Sequence, residues 1–442
     1  MARGSRGFRW GLAACAAAGA AVRLAVYFGY YRNRDLGYND AGYYSQTAVS
    51  LAQGHWFVDL IGRPAAEHGP VTTLLLAPVS GMGSPVNWQR LVTVVTGVAT
   101  VAVIGLVGRR LGGEKVGLVA AAVAALYPGL WLNDGLVMSE SIGALTVVLW
   151  MLASLVWQAR PSPWSAVLMG AAAGVAALTR PELAVLMVAA VGAAWWVGGD
   201  RRRLMAGLAV VGGLAVLAPW VAFNVTRFEH PVILTTNAGT TLRGANCDAV
   251  YEGRRLGSWA LECLFIDPDV GRMEGSVRDT RWRADGIDYA RDHAGRLPVV
   301  VAARLGRSFD LYGVGYQVDE DLRDGRPRRG VWAAVVSFWV LAVLAFIGQR
   351  RASRFGRLLL WAPVGAVLLA AVVFYGGHRI RTAMEPSVVL GAALGAAALA
   401  GRLGPGAEPD PAAEAEAPEP EPAKPTEPAE PAEPAEDVTA PR

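Results

Sequence analysis

Apolar runs close to the roughly 20 residues that a helix needs to cross a bilayer recur along this chain, separated by short polar breaks rich in arginine. Placing spans by hydropathy and orienting them by the excess of Lys and Arg on cytoplasmic loops predicts about ten helices with both termini inside. The first covers about Phe8 to Tyr30, leaving Arg3, Arg6 and Arg9 in the cytoplasm and sending residues 31–85 to the outer face. The second, about Val86 to Val107, returns to Arg109, Arg110 and Lys115. A third ends outside near Tyr127 to Asp134, a fourth returns at Arg160, a fifth exits near Arg180 and a sixth returns to Arg201, Arg202 and Arg203. A seventh, Leu204 to Phe223, opens a large outer segment, residues 224–329. The eighth returns to Arg350, Arg351 and Arg354, the ninth exits at Tyr375 to Arg381, and the tenth comes in at about Gly401. Arg328 and Arg329 break the charge rule by lying outside.

Composition sharpens this picture. The 442 residues are 53% hydrophobic and 18% charged, which fits an all-α polytopic membrane protein. The N-terminal run has a basic start, contains Arg23 and lacks a small-residue cleavage site near its end, so it reads as a retained signal anchor. The net charge of +4 conceals two unlike parts: residues 407–442 carry eleven acids against Lys424 and Arg442, so that segment is −9 and the remainder +13. The segment 405–442, with PEPEPAKPTEPAEPAEPAED, has almost nothing apolar to bury and is expected to be a disordered cytoplasmic tail. A basic membrane part suits anionic lipid or a phosphate-bearing substrate, and nothing resembles a nucleic-acid module.

Candidate chemistry gathers on the outer side. Asp40, Tyr43, Tyr44, Thr47, Ala48 and Leu51 fall at helical spacing, so they share one face of a short helix along the membrane. Asn39 or Asp40 is a good N-cap, and the dipole favours an acid in the first turn; spacing alone leaves capping and catalysis both open for Asp40. Glu67 and His68 precede Gly69-Pro70 and a short apolar run. They offer the oxygen and nitrogen that a divalent cation uses, but two adjacent residues make no complete site, and capping is the simpler reading. Glu140 in LVMSESIGAL reads equally as a first-turn acid, and Arg180 in LTRPE as an interfacial arginine held by Glu182. His378, Arg379 and Arg381 in GGHRIRTAMEP form an outward basic cluster that requires a partner, such as a phosphate bound through charge-assisted hydrogen bonds. The outer segment has strand-like apolar stretches and glycine turns. Its Cys247 and Cys263 are expected to form a disulfide, worth about 3 kcal/mol in the chain-entropy model. Residues 297–313, with Arg304 and Arg307, read as an amphipathic helix on the outer leaflet.

These pieces, NDAGYY, EHGP, YPGLWLNDGLVMSES, LTRPE, NAGTTLRGAN and HRIRTAMEP, resemble in order and topology the C-type (GT-C) integral membrane glycosyltransferases, specifically their bacterial glycosyltransferase family 39-like and RgtA/B/C/D-like group. The resemblance covers most of residues 1–404; Gly69 departs from the proline usual there. It implies a membrane helix bundle, juxtamembrane helices, a small extracytoplasmic loop layer and a cavity open to the outer leaflet. It implies that Asp40 is the catalytic base and that Arg379 and Arg381, with Arg180 and His378, bind the donor phosphate. Glu67, His68 and Glu140 would lie by the acceptor, the first two as candidates for a divalent metal. The implied activity is transfer of one sugar from a polyprenyl-phosphate donor to a cell-envelope glycan, lipid or protein at the extracytoplasmic face of the bacterial plasma membrane, with inversion. Two other classes remain open: a lipid or glycan transporter, for which few ionisable groups at mid-depth are present, and a non-catalytic envelope scaffold in which the acids are only caps.

Overall fold

A computed structural model describes residues 5–37, 40–59, 61–265 and 272–401. The expected disordered tail and Asn39, the alternative cap, lie outside them. Among the described residues there are helices and turns but no strand, only an isolated bridge between Val58 and Pro64. Helix is the solution hydrocarbon imposes, since a spanning helix satisfies its own backbone groups.

Among the described residues seven helices are long and apolar enough to cross a membrane: Arg6–Tyr31, Pro85–Leu126, Ser139–Ala159, Gly199–Val225, Arg328–Gln349, Arg354–Val373 and His378–Leu399. The 42-residue Pro85–Leu126 element is two predicted spans merged across a kink. Gly112 and Gly113 leave helical geometry there, Gly113 with φ at 83°, a conformation that costs glycine little. The kink falls at the predicted inner turn between Arg110 and Lys115. Two shorter apolar helices, Pro163–Thr179 and Pro181–Val197, account for the other two expected segments. The Pro163–Thr179 and Arg202–Val225 helices approach so closely that a Cβ on Gly170 would strike the carbonyl of Ala209, and one on Gly212 that of Val167. Small residues allow this backbone approach where lipid gives helices little hydrophobic reason to associate.

At one end of the bundle, the described residues of 31–84, 127–138 and 226–327 form a helical cap. The strand-like reading of the outer segment is corrected. Pro231 cannot donate a ladder hydrogen bond, Val232 is buried with Phe57, Trp220 and Phe228, and the next stretch winds into the Ala238–Ala245 helix. Cys247 and Cys263 are bonded, with Cα atoms 6.3 Å apart, and pack with Val250, Tyr251 and Val300. The Leu297–Ser308 helix turns its arginines inward. Arg304 donates to the carbonyls of Ala245 (2.6 Å) and Val372 (3.1 Å), and Arg307 to those of Leu256 and Arg254, each at 2.6 Å. Both guanidinium groups are buried, Arg304 as a staple between the cap and the bundle and Arg307 within the cap, and neither faces lipid headgroups.

Arg23, inside the first span, is 2% exposed and donates through Nε to Asp134 Oδ2 at 2.6 Å; Ser141 Oγ donates to Oδ1 at 2.5 Å. Removing one member of a buried pair leaves an unpaired charge and typically costs about 3–5 kcal/mol. Asp134→Ala should therefore lower the thermal midpoint of the detergent-solubilised protein strongly, while Arg23→Leu with Asp134→Leu should recover much of the loss. An unchanged midpoint in the single variant would refute this role.

Candidate functional site

Asp40 opens the Asp40–Ala52 helix, where an acid is favoured by the dipole. The helix buries Ala41, Tyr44, Ser45, Thr47 and Ala48 and thereby turns Asp40 toward the bundle mouth, with its side chain one-third exposed. Tyr44 stacks on the His68 ring with centroids 4.9 Å apart and Tyr43 meets its edge at 5.1 Å, so the imidazole is held in an aromatic bracket. His68 Nε2 lies 3.4 Å from Asp40 Oδ1.

Arg379 comes from the turn His378–Arg381 that opens the last described apolar helix, and donates from Nη2 to Asp40 Oδ2 at 2.5 Å. Its Nε donates to Glu140 Oε1 at 2.9 Å. Glu140, in the first turn of the Ser139–Ala159 helix, is 1% exposed and also pairs with Arg180 Nη1 at 3.3 Å. Arg180 in turn donates to Glu182 at 2.6 Å. His68, Asp40, Arg379, Glu140, Arg180 and Glu182 thus form one continuous charge chain across four regions of sequence. Burial pushes the Asp40 carboxyl up, but Arg379 and His68 outweigh it and hold the group well below the usual carboxylate range. For His68, burial disfavours the cation, yet Asp40 raises the imidazole above its ordinary value.

His378 and Arg381 sit in a second, deeper cluster. His378 lies between Asp310 at 2.5 Å and Asp321 at 2.6 Å. Arg381, 2% exposed, donates to Asp310 at 2.5 Å and Glu385 at 2.8 Å, and Tyr127 donates to Glu385 at 2.8 Å. Burial favours a neutral Asp310 and Asp321, but His378 and the neighbouring arginines keep both below the ordinary carboxylate range. Arg326 completes the cluster, donating to Asp321 at 2.9 Å, Asp324 at 2.8 Å and Asn133 at 2.9 Å. The HRIR stretch is therefore one helical turn whose members divide: Arg379 reaches the rim beside Asp40, whereas His378 and Arg381 are spent on internal carboxylates. Asp310, Asp321, Asp324, Arg326 and Glu385 escaped the sequence reading. The available signal was the excess of outward arginines, which demands acids at the same level, and VDEDLRDGR supplies them.

Glu67 and His68 do not converge. Glu67 pairs with Arg278 at 2.7 Å while His68 turns to Asp40. Among the described residues no group of three or more His, Cys, Asp or Glu side chains could hold a metal ion. A divalent ion prefers several converging anionic or imidazole donors, and here the carboxylates are already bound to guanidinium groups. The donor set of the described residues does not fit such an ion.

Residues 67–223 match the dolichyl-phosphate-mannose-protein mannosyltransferase family. No curated protein matches the chain. Among solved structures, the oligosaccharyltransferase of Archaeoglobus fulgidus with zinc and sulfate is 14% identical, with a TM-score of 0.51 over 88% of this chain and 49% of that one. The same archaeal enzyme, AglB, with an inhibitory peptide and a dolichol-phosphate is 12% identical, with a TM-score of 0.53 over 89% and 50%. ArnT of Cupriavidus metallidurans bound to undecaprenyl phosphate is 17% identical, with a TM-score of 0.41 over 86% and 77%. The chain spans about half the length of the archaeal enzyme. The chain therefore has the helical fold of the archaeal enzyme, in agreement with the fold that the resemblance implied, and its residues 67–223 match the mannosyltransferase family.

Proposed function

We propose that the chain transfers one sugar from a polyprenyl-phosphate donor to a cell-envelope acceptor on the extracytoplasmic face, with both termini in the cytoplasm. The observation that carries this reading is the direct Asp40–Arg379 pair at the rim of the bundle, a candidate base beside a candidate phosphate ligand. Arg379 is one-quarter exposed and Arg180 12% exposed in their side chains, so both remain within reach of a ligand; Arg381, at 3%, is deeper and fully engaged. Arg379 and Arg180 therefore take the donor phosphate, and Arg381 and His378 hold their turn in place.

The pair also couples binding to chemistry. Held by Arg379, Asp40 is ionised but weakly basic. A donor phosphate competes for the same guanidinium, and as that contact loosens the Asp40 carboxylate regains basicity while the donor is bound. It then takes the proton of the acceptor hydroxyl as that oxygen bonds to the anomeric carbon. The carbon–oxygen bond to phosphate breaks with its electron pair leaving on the polyprenyl phosphate, whose growing charge the arginines stabilise. An in-line displacement of this kind inverts the anomeric centre.

Asp40→Asn keeps the shape and the hydrogen-bonding capacity but removes the base. Sugar transfer in membranes should fall by about 10²–10⁴-fold, the usual worth of general base catalysis, with donor binding retained. Transfer at the normal rate would exclude the catalytic role. Arg379→Ala should weaken undecaprenyl phosphate binding by about 10–100-fold, from the ~1.5–3 kcal/mol of a charged hydrogen bond; equal affinity would remove Arg379 from the phosphate site.

The His68–Asp40 contact also fixes a pH dependence. A raised histidine pKa contributes stability that is complete below the unfolded value of about 6.5 and is lost as pH rises through the folded value. Asp40, depressed, contributes above about 3.9 and loses its part as pH falls toward its folded value. The thermal midpoint of the wild-type protein should exceed that of His68→Gln most between about pH 4 and 6.5 and converge with it toward about pH 9. A gap of constant size across that range would contradict the ion pair.

A further inference from the structure

A cavity of about 470 Å³ opens beside the charge chain, within the ~300–1,000 Å³ range of small-molecule sites. One wall is the face of the Asp40–Ala52 helix that carries Tyr43, Gln46, Thr47 and Ser50, spaced three and four residues apart. The loop that ends at Glu67 forms a second wall, and the start of the Gly275–Asp292 helix forms the third. Glu67 and Tyr43 connect it to the rim: Glu67 precedes His68 in the chain, and Tyr43 contacts the His68 ring.

The chemistry of the lining selects among ligands. Its charges are internally neutralised, Asp59 by Arg63 at 2.8 Å and Glu67 by Arg278 at 2.7 Å. A net anion or cation gains little from such a wall. What remains is a set of donors and acceptors: the hydroxyls of Thr47, Ser50 and Thr236, the Gln46 amide, and carboxylate oxygens in reach of further donors. Several hydroxyl-matching groups beside an aromatic ring suit a hydroxyl-rich ring. They suit an extended peptide less, since its side chains want apolar pockets and its backbone a free strand edge.

We propose that this cavity binds the saccharide portion of the acceptor, presenting one of its hydroxyls toward Asp40. The assignment rests on the glycosyltransferase reading for its purpose but not for its test. The full chain in lipid nanodiscs is titrated with a panel of methyl glycosides of neutral hexoses and pentoses, read by saturation-transfer NMR, and separately with undecaprenyl phosphate. At least one glycoside should bind. Ser50→Trp, which fills the cavity, should weaken it by at least about 10-fold, and Gln46→Ala, which adds no bulk, by about 3- to 10-fold, as expected for one hydrogen bond. Undecaprenyl phosphate affinity should stay within about twofold in both variants. If Ser50→Trp fails to fold, Gln46→Ala alone decides. Glycoside binding that both variants leave unchanged overturns the proposal, and so does the absence of any glycoside binding, whether or not a serine- or threonine-containing peptide binds instead. Glycoside binding sensitive to these variants, in a protein that does not bind undecaprenyl phosphate, leaves the cavity assigned and removes the glycosyltransferase reading.

Discussion

The buried charges that this chain carries to the edge of its helix bundle have to meet partners supplied by the chain itself. Burying an ion without a partner is costly, and lipid offers no water to make up the difference. Arg23 meets Asp134, Arg379 meets Asp40 and Glu140, and Arg381 meets Asp310 and Glu385. Except for Arg381–Glu385, which lies within one helix, each pair joins a spanning helix to a loop or to another helix, so neutralisation also sets the positions of the cap segments. Arg304 and Arg307 serve the same end with neutral partners, their guanidinium groups satisfying backbone carbonyls that cap segments leave free. The cap is held by these ionic and hydrogen-bonded contacts together with small apolar clusters, whereas the bundle beneath it is closed by small residues and aliphatic packing.

The apolar pattern made the bundle legible because hydrocarbon imposes a length and a composition on anything that crosses it. Phe8 to Tyr30 became Arg6–Tyr31, and Val86 to Val107 became the first part of Pro85–Leu126, with the kink at the predicted basic turn. The helical spacing around Asp40 was equally readable, since it is a local property. Partners were not. Arg379 and Asp40 are separated by 339 positions, and Glu67 and Arg278 by 211, so no window along the chain holds both members. The same blindness produced the strand-like reading of the outer segment: short apolar stretches look alike whether they pair in a sheet or pack singly against Trp220 and Phe57. It also placed His378, Arg379 and Arg381 in one role. Three residues of one turn point to different depths, and only the positions of Asp310 and Asp321 separate them.

One consequence of the long separation between Asp40 and Arg379 concerns how the protein is made. The segment that carries Asp40 leaves the ribosome early and reaches its side of the membrane with the first span, while Arg379 arrives only with the helix that begins at His378. Until that helix inserts, Asp40 has His68 but not its guanidinium partner, and Glu140 has Arg180 alone. The rim is thus assembled by the late helix docking between two earlier ones, with the charge pairs serving as its latch. A chain whose synthesis stops before His378 has nearly all of its bundle and no complete rim.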